Sequence, residues 1–96
     1  MSLARPARLD PEDVAIAALS FIAADPERLS RFLGLSGLEP ATLRAAAAEP
    51  GFLAQVMEYV AADESLLLAF AANAGHHPEA VAQAARKLGG PPGGDA

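Results

Sequence analysis

The two histidines of the chain are adjacent, in the segment GHHPEA, and they are the side chains best suited to metal binding or general-base catalysis. A zinc site takes three or four convergent ligands, whereas His76 and His77, as neighbours on a turn, point apart. No histidine recurs one helical turn away, and no spacing brings the nearby acidic residues to the pair. We therefore predict no metal site here. We interpret the segment as a helix junction, in which Gly75 ends one helix and Pro78 begins the next.

A serine and several groups of carboxylates are the other candidates for chemistry. Ser36 lies in GLSGL, which lacks the second glycine of a nucleophile elbow and has no strand before it. The acidic groups at 10–13, 25–27 and 63–64 stand where helices are predicted to begin, and free amides and the helix dipole stabilise negative charge there. The chain has no cysteine and no glycine-rich phosphate loop. We predict no catalytic residue, no cofactor and no enzymatic activity.

The helix starts are marked by an acidic or polar residue followed by proline, at 10–11, 25–26, 39–40, 49–50 and 77–78. Proline suits the first helical position because its missing N–H would have no partner there. With a sixth start at Asp63, the pattern predicts helices at about 11–24, 26–33, 40–48, 51–62, 64–74 and 78–88. Gly34, Gly75 and Gly89 follow three of the predicted ends. No segment alternates with a period of two, so we predict an all-α fold, a compact orthogonal bundle of five to six short helices.

Composition and charge divide the chain into three parts. Residues 10–89 are predicted to form a single helical domain, between a disordered N-terminal tail at 1–9 and a disordered Gly/Pro tail at 90–96. The apolar run at 14–24 is shorter than the roughly 20 residues that cross a bilayer, so we expect no membrane partner and a cytoplasmic location. The net charge is −5, and an acidic domain is disfavoured as a partner of nucleic acid.

Apolar periodicity indicates the core. Alanine supplies much of the 52% apolar content, so helices must pack closely over small side chains. The first helix is apolar in nearly all directions, which predicts that it is central, and Leu35 and Leu38 are expected to pack inward. The amphipathic faces of the second, fourth and sixth helices predict these core residues: Leu29, Phe32, Leu33, Leu53, Val56, Met57, Val60, Val81, Ala84, Ala85 and Leu88.

Three segments resemble a known family: ADPERLSRFLGLSGLEPATLR, FLAQVMEYVAADESLLLAF and AGHHPEAV. Their DPERL, GL-GL, LR-AA and DE-LLLAF elements, with their spacing, resemble a family of small all-helical alphaproteobacterial proteins that is catalogued as a domain of unknown function. The resemblance covers roughly Val14 to Gly90. It implies an all-helical fold and a bacterial origin, and it assigns no catalytic or binding residue.

A surplus of large apolar side chains predicts a surface for a protein partner or a homodimer, formed through the fourth and fifth helices. The candidate residues are Phe52, Tyr59, Leu66, Leu67 and Leu68. Three consecutive leucines span about 200° of a helix, so they cannot all face one neighbour. Large exposed apolar patches mark partner sites on soluble proteins, but these residues are equally compatible with a core. The sequence leaves both interpretations open.

The alternative function is nucleic-acid binding by the corner LSGLEPATLRA, at 35–45. It is similar to a helix-hairpin-helix, whose glycine-rich turn offers backbone amides to a phosphate. Glu39 replaces the second glycine of that turn and would repel the phosphate. Arg28, Arg31 and Arg44 are the candidate contacts.

Overall fold

Six helices account for most of residues 10–49 and 51–89, which are the residues that the computed structural model describes. They are α1 (Pro11–Ala23), α2 (Pro26–Ser36), α3 (Pro40–Ala47), α4 (Phe52–Ala62), α5 (Glu64–Ala74) and α6 (Pro78–Gly89). No strand occurs in these two ranges, and the prediction of an all-α bundle of short helices is confirmed. The predicted tails at 1–9 and 90–96, and Pro50, lie outside the described residues.

Aspartate side chains cap three of the helices, as the acidic starts predict. An Oδ1 of Asp10 accepts a hydrogen bond from the amide of Glu12 at 2.9 Å, and Asp25 accepts one from Glu27 at the same distance. At the start of α5, Asp63 accepts one from the amide of Leu66 at 3.1 Å. Each bond satisfies an amide that the helix itself leaves without a partner.

The predicted end of α2 at Gly34 is wrong, because the helix continues to Ser36. Gly37 ends it instead, with a left-handed φ of 78°, and its amide donates to the carbonyl of Leu33 at 3.0 Å. A helix interior tolerates a glycine at a cost of roughly 1 kcal/mol, so Gly34 does not have to stop the helix. Gly89, predicted to follow the last helix, likewise lies within α6.

Alanine substitutions at Gly34 and Gly37 are expected to have opposite effects on the free energy of unfolding. Gly34→Ala should raise the free energy of unfolding by about 0.5–1 kcal/mol, because it restricts the unfolded chain at a helical position. Nothing lies within 4 Å of the added methyl group. Gly37→Ala should lower the free energy by about 1 kcal/mol, because a side chain is strained at positive φ. Urea unfolding, monitored by circular dichroism, measures the free energy of unfolding of both variants. Equal changes in the two variants would contradict the observed end of α2.

The segment GHHPEA is a helix junction, as predicted. Gly75 has a φ of 77°, and the amide of His76 donates to the carbonyl of Ala71 at 2.9 Å, which closes the last turn of α5. The carbonyl of His77 then accepts from the amide of Val81 at 3.2 Å, as the first turn of α6 forms.

Helix α1 is central, since it packs against α2, α4, α5 and α6, whereas α3 packs mainly against α4. The most extensive packing joins α4 to α6. Three aromatic pairs hold α2 and α5 to their neighbours: Phe32 with Phe52, Phe32 with Tyr59, and Phe21 with Phe70. The buried core consists of Val14, Ala15, Ala18, Ile22, Phe32, Phe52, Val56, Met57, Val60, Leu66, Phe70, Ala71, Val81, Ala84 and Ala85.

The expected inward packing of Leu35 is wrong, because this side chain is 72% exposed. Since α2 continues as a helix, Leu35 lies about 110° of rotation from the centre of the stripe at 29, 32, 33 and 36. Leu38 does pack against the core. Ile16 is half exposed, so α1 is not covered on every side.

No helix within residues 10–49 and 51–89 combines the length and the apolar character that crossing a membrane requires.

Candidate functional site

The predicted partner surface is mostly core. Phe52 and Leu66 are buried, Tyr59 and Leu67 are partly buried, and Leu68 alone among the five is exposed, at 47%. The three leucines differ in exposure because they lie at different angles around the axis of α5. Leu66 lies on the stripe that continues through Phe70 and Ala71, while Leu68 lies about 140° from the centre of that stripe. The five residues therefore do not form one exposed apolar patch in this fold.

Tyr59 and Leu66 line a pocket of about 340 Å³ between α2 and the junction of α4 and α5. The same pocket contains Arg28 and Arg31, so the structure brings together residues from both predicted sites. Arg44, on α3, does not line it. Three carboxylates also line this pocket, those of Asp25, Glu27 and Asp63. They outnumber the two arginines.

Arg28 is already engaged by neighbours within its own helix corner. Its Nη1 lies 3.4 Å from an Oδ2 of Asp25, and its guanidinium carbon lies 4.3 Å from the centre of the Phe21 ring. Cation–π stacking and an ion pair both orient the guanidinium. A phosphate approaching Arg28 and Arg31 would meet an excess of negative charge. These surroundings disfavour the nucleic-acid alternative, which stays a prediction.

Tyr59 has a raised pKa. Burial is the main cause, because it disfavours the phenolate; the Arg31 charge lowers the pKa and the Asp63 charge raises it. Its ring packs edge-on against Phe32, with ring centres 5.0 Å apart. Tyr59 thus packs its ring against the core and also lines the charged pocket.

The titration of Tyr59 gives a measurable prediction. The folded pKa exceeds the ordinary value of 10.0, so the neutral phenol contributes stability that is present below about pH 10 and is lost as the pH rises through the folded pKa. The chain has one tyrosine and no tryptophan, so near-ultraviolet absorbance follows this group alone. Arg31→Ala should raise the pKa further. The prediction would be contradicted if Tyr59 had the same pKa in the folded and in the denatured chain.

A second concave surface lies between α4 and α6, which we call the α4–α6 groove. It is shallow, with a volume of about 1010 Å³. Its floor is made of small residues at helical spacing: Ala61, Ala62, Ala82, Ala85 and Gly89. Because these side chains are short, the two helices leave a furrow between them instead of filling it.

The edges of the groove are charged with opposite signs. Glu58 on α4 stands on one edge, and Arg86 and Lys87 on α6 stand on the other, with Gln83 beside them. All four side chains are exposed. Sequence reasoning missed this surface. The available indication was the spacing of alanine and glycine at 82, 85 and 89, which places small residues on one face of α6.

His76 and His77 lie at the junction of α5 and α6 and do not line either surface. Among residues 10–49 and 51–89, no group of three or more histidine or acidic side chains is placed to hold a metal ion.

The sequence of the chain matches the model of one family. Residues 8–91 match the model of a family described as Protein of unknown function (DUF3572). The match covers the region of the expected resemblance, about Val14 to Gly90. No curated protein matches the chain, and no solved structure matches it.

Proposed function

The chain belongs to the DUF3572 family of unknown function, and we propose that it is a non-catalytic protein–protein interaction or regulatory module that docks a partner in the α4–α6 groove. The proposal includes a cytoplasmic location in a bacterium, which the sequence resemblance and the shortness of the apolar run at 14–24 led us to expect. Cell fractionation of the source organism tests the location.

The groove is the observation that supports docking. Its walls, α4 and α6, are the most extensively packed pair of helices in the described chain, so a partner would meet a preformed surface. Preformed surfaces bind with little loss of conformational freedom. An α-helix fits a groove of this kind, because the short side chains of the alanines allow it to approach closely.

The roles of the carboxylates support a function without catalysis. Asp10, Asp25 and Asp63 each accept a backbone hydrogen bond at a helix start. This capping accounts for their positions without any substrate. The predicted dimer surface on the fourth and fifth helices gives way to α4 and α6 in this proposal, because Phe52 and Leu66 are buried.

Quantitative crosslinked capture from the source organism tests the proposal when two matched variants are compared. Ala61→Trp fills the groove, and Ala17→Trp places the same side chain on an exposed position of α1 outside it. A partner that is captured by the wild type and by Ala17→Trp, but lost with Ala61→Trp, is the expected result. Equal capture by all three proteins would overturn the groove as the docking site.

A further inference from the structure

We propose that the occupant of the α4–α6 groove is a second copy of this chain, in a symmetric dimer in which α6 of each copy lies in the groove of the other. This inference rests on the proposed function, because it uses the same groove. It adds the identity of one partner and the geometry of the contact.

Charge complementarity is the reason for proposing a second copy of the chain as the occupant. The groove has an acidic edge at Glu58 and a basic edge at Arg86 and Lys87. Within residues 10–49 and 51–89, the single ion pair joins Arg28 to Asp25, so the three groove charges have no ionic partner there. In a two-fold interface, residue i contacts residue j and residue j contacts residue i. One rotation therefore brings Glu58 of each copy to Arg86 of the other, which makes two equivalent ion pairs.

The shapes of the two surfaces are compatible with this arrangement. Two helix pairs can pack in a staggered way, so that α6 of one pair lies above the furrow of the other and the relation is reciprocal. The small residues at 82, 85 and 89 face the contact, and short side chains allow helices to approach to about 8 Å. Arg86 is exposed, and it follows Ala85 by about 100° of rotation, which turns it from the floor toward the opposing α4.

The size of the contact predicts a weak dimer. Helices of 11 and 12 residues are only about 17–18 Å long, so the interface falls in the small class, below about 1,200 Å² in total. The chain also carries a net charge of −5, and two copies repel each other at long range. We therefore expect association that depends on concentration, with a dissociation constant in the micromolar range or weaker.

Sedimentation equilibrium of the full chain, from about 1 μM to about 1 mM, measures this association. Glu58→Arg and Arg86→Glu should each raise the dissociation constant by about tenfold, because each replaces two attractions by two repulsions. The combined variant should return to within about threefold of the wild type, because the pairs are restored with reversed sign. Arg44→Glu makes the same change of charge on α3, outside the groove, and should leave association within about threefold of the wild type.

The outcomes separate this inference from the proposed function. A wild-type chain that stays monomeric over the whole range overturns the dimer, and so does a dimer that neither single reversal weakens. If the monomeric chain still loses a captured partner with Ala61→Trp, docking in the groove stands and only the second copy is excluded. Circular dichroism of each variant confirms that the helices are intact.

Discussion

Phe32→Ala is expected to lower the free energy of unfolding by about 3–5 kcal/mol, which is a large share of the 5–15 kcal/mol typical of a folded domain. The ring is fully buried, and it is the main side chain by which α2 enters the core. Its centre lies 6.3 Å from that of Phe52 and 5.0 Å from that of Tyr59, and both pairs are close to edge-on. Removing it leaves a cavity and ends both aromatic contacts.

Leu35→Ala is the matched control, because it truncates a large apolar side chain one turn further along α2. Leu35 is 72% exposed, so its loss should change the free energy of unfolding by no more than about 0.5 kcal/mol. Urea unfolding measures both variants, and the midpoint should shift strongly for Phe32→Ala alone. Similar losses at the two positions would mean that α2 packs differently from the structure described.

The starts of α1, α2 and α5 could be predicted from the sequence because each depends on local chemistry, an aspartate that accepts a hydrogen bond from the first turn. Helix α4 instead begins at Phe52, after Gly51, without a side-chain cap. Asp25 followed by proline supplies both the side-chain acceptor and the fixed backbone angle that a first turn needs. The end of α2 could not be predicted in the same way. Gly34 and Gly37 are equally able to adopt positive φ, and the choice depends on whether the chain between them is still supported as a helix.

The burial of the apolar residues on α5 could not be predicted, because Leu66, Leu67 and Leu68 are chemically identical. Their exposure depends on how α5 is rotated against α4 and α6, which is a property of the assembled bundle. Periodicity succeeded where a helix has one clear stripe, as at Val56 and Val60, both of which are buried.

The α4–α6 groove could not be predicted for a different reason. Alanine is compatible with both a buried and an exposed position, so Ala61 and Ala82 carry little information about either. The groove also requires α4 and α6 to be neighbours, although α5 separates them along the chain. Helix order alone does not determine which helices meet. Glu58 and Arg86 belong to one surface only because α4 and α6 are neighbours in the fold.

Ala18→Leu is the second large effect that the fold predicts. Ala18 is completely buried on α1, the helix that packs against four of the others, so the added side chain would enter space already filled by neighbouring helices. Overpacking of this kind typically lowers the free energy of unfolding by about 1–3 kcal/mol, and we expect the upper end here because the site admits only a methyl group.

Ala17→Leu adds the same atoms one residue earlier on the same helix, at an exposed position. Helix propensity differs little between alanine and leucine, so its effect should stay within about 0.5 kcal/mol. The urea midpoints of the two variants are compared, provided that the dependence of the free energy of unfolding on urea concentration is unchanged. Their difference separates the effect of overpacking from any general effect of leucine. A tolerated Ala18→Leu would show that the interior around α1 has room for a large side chain. In that case, close approach of helices over small residues would not be what shapes this bundle, and the furrow between α4 and α6 would need another cause.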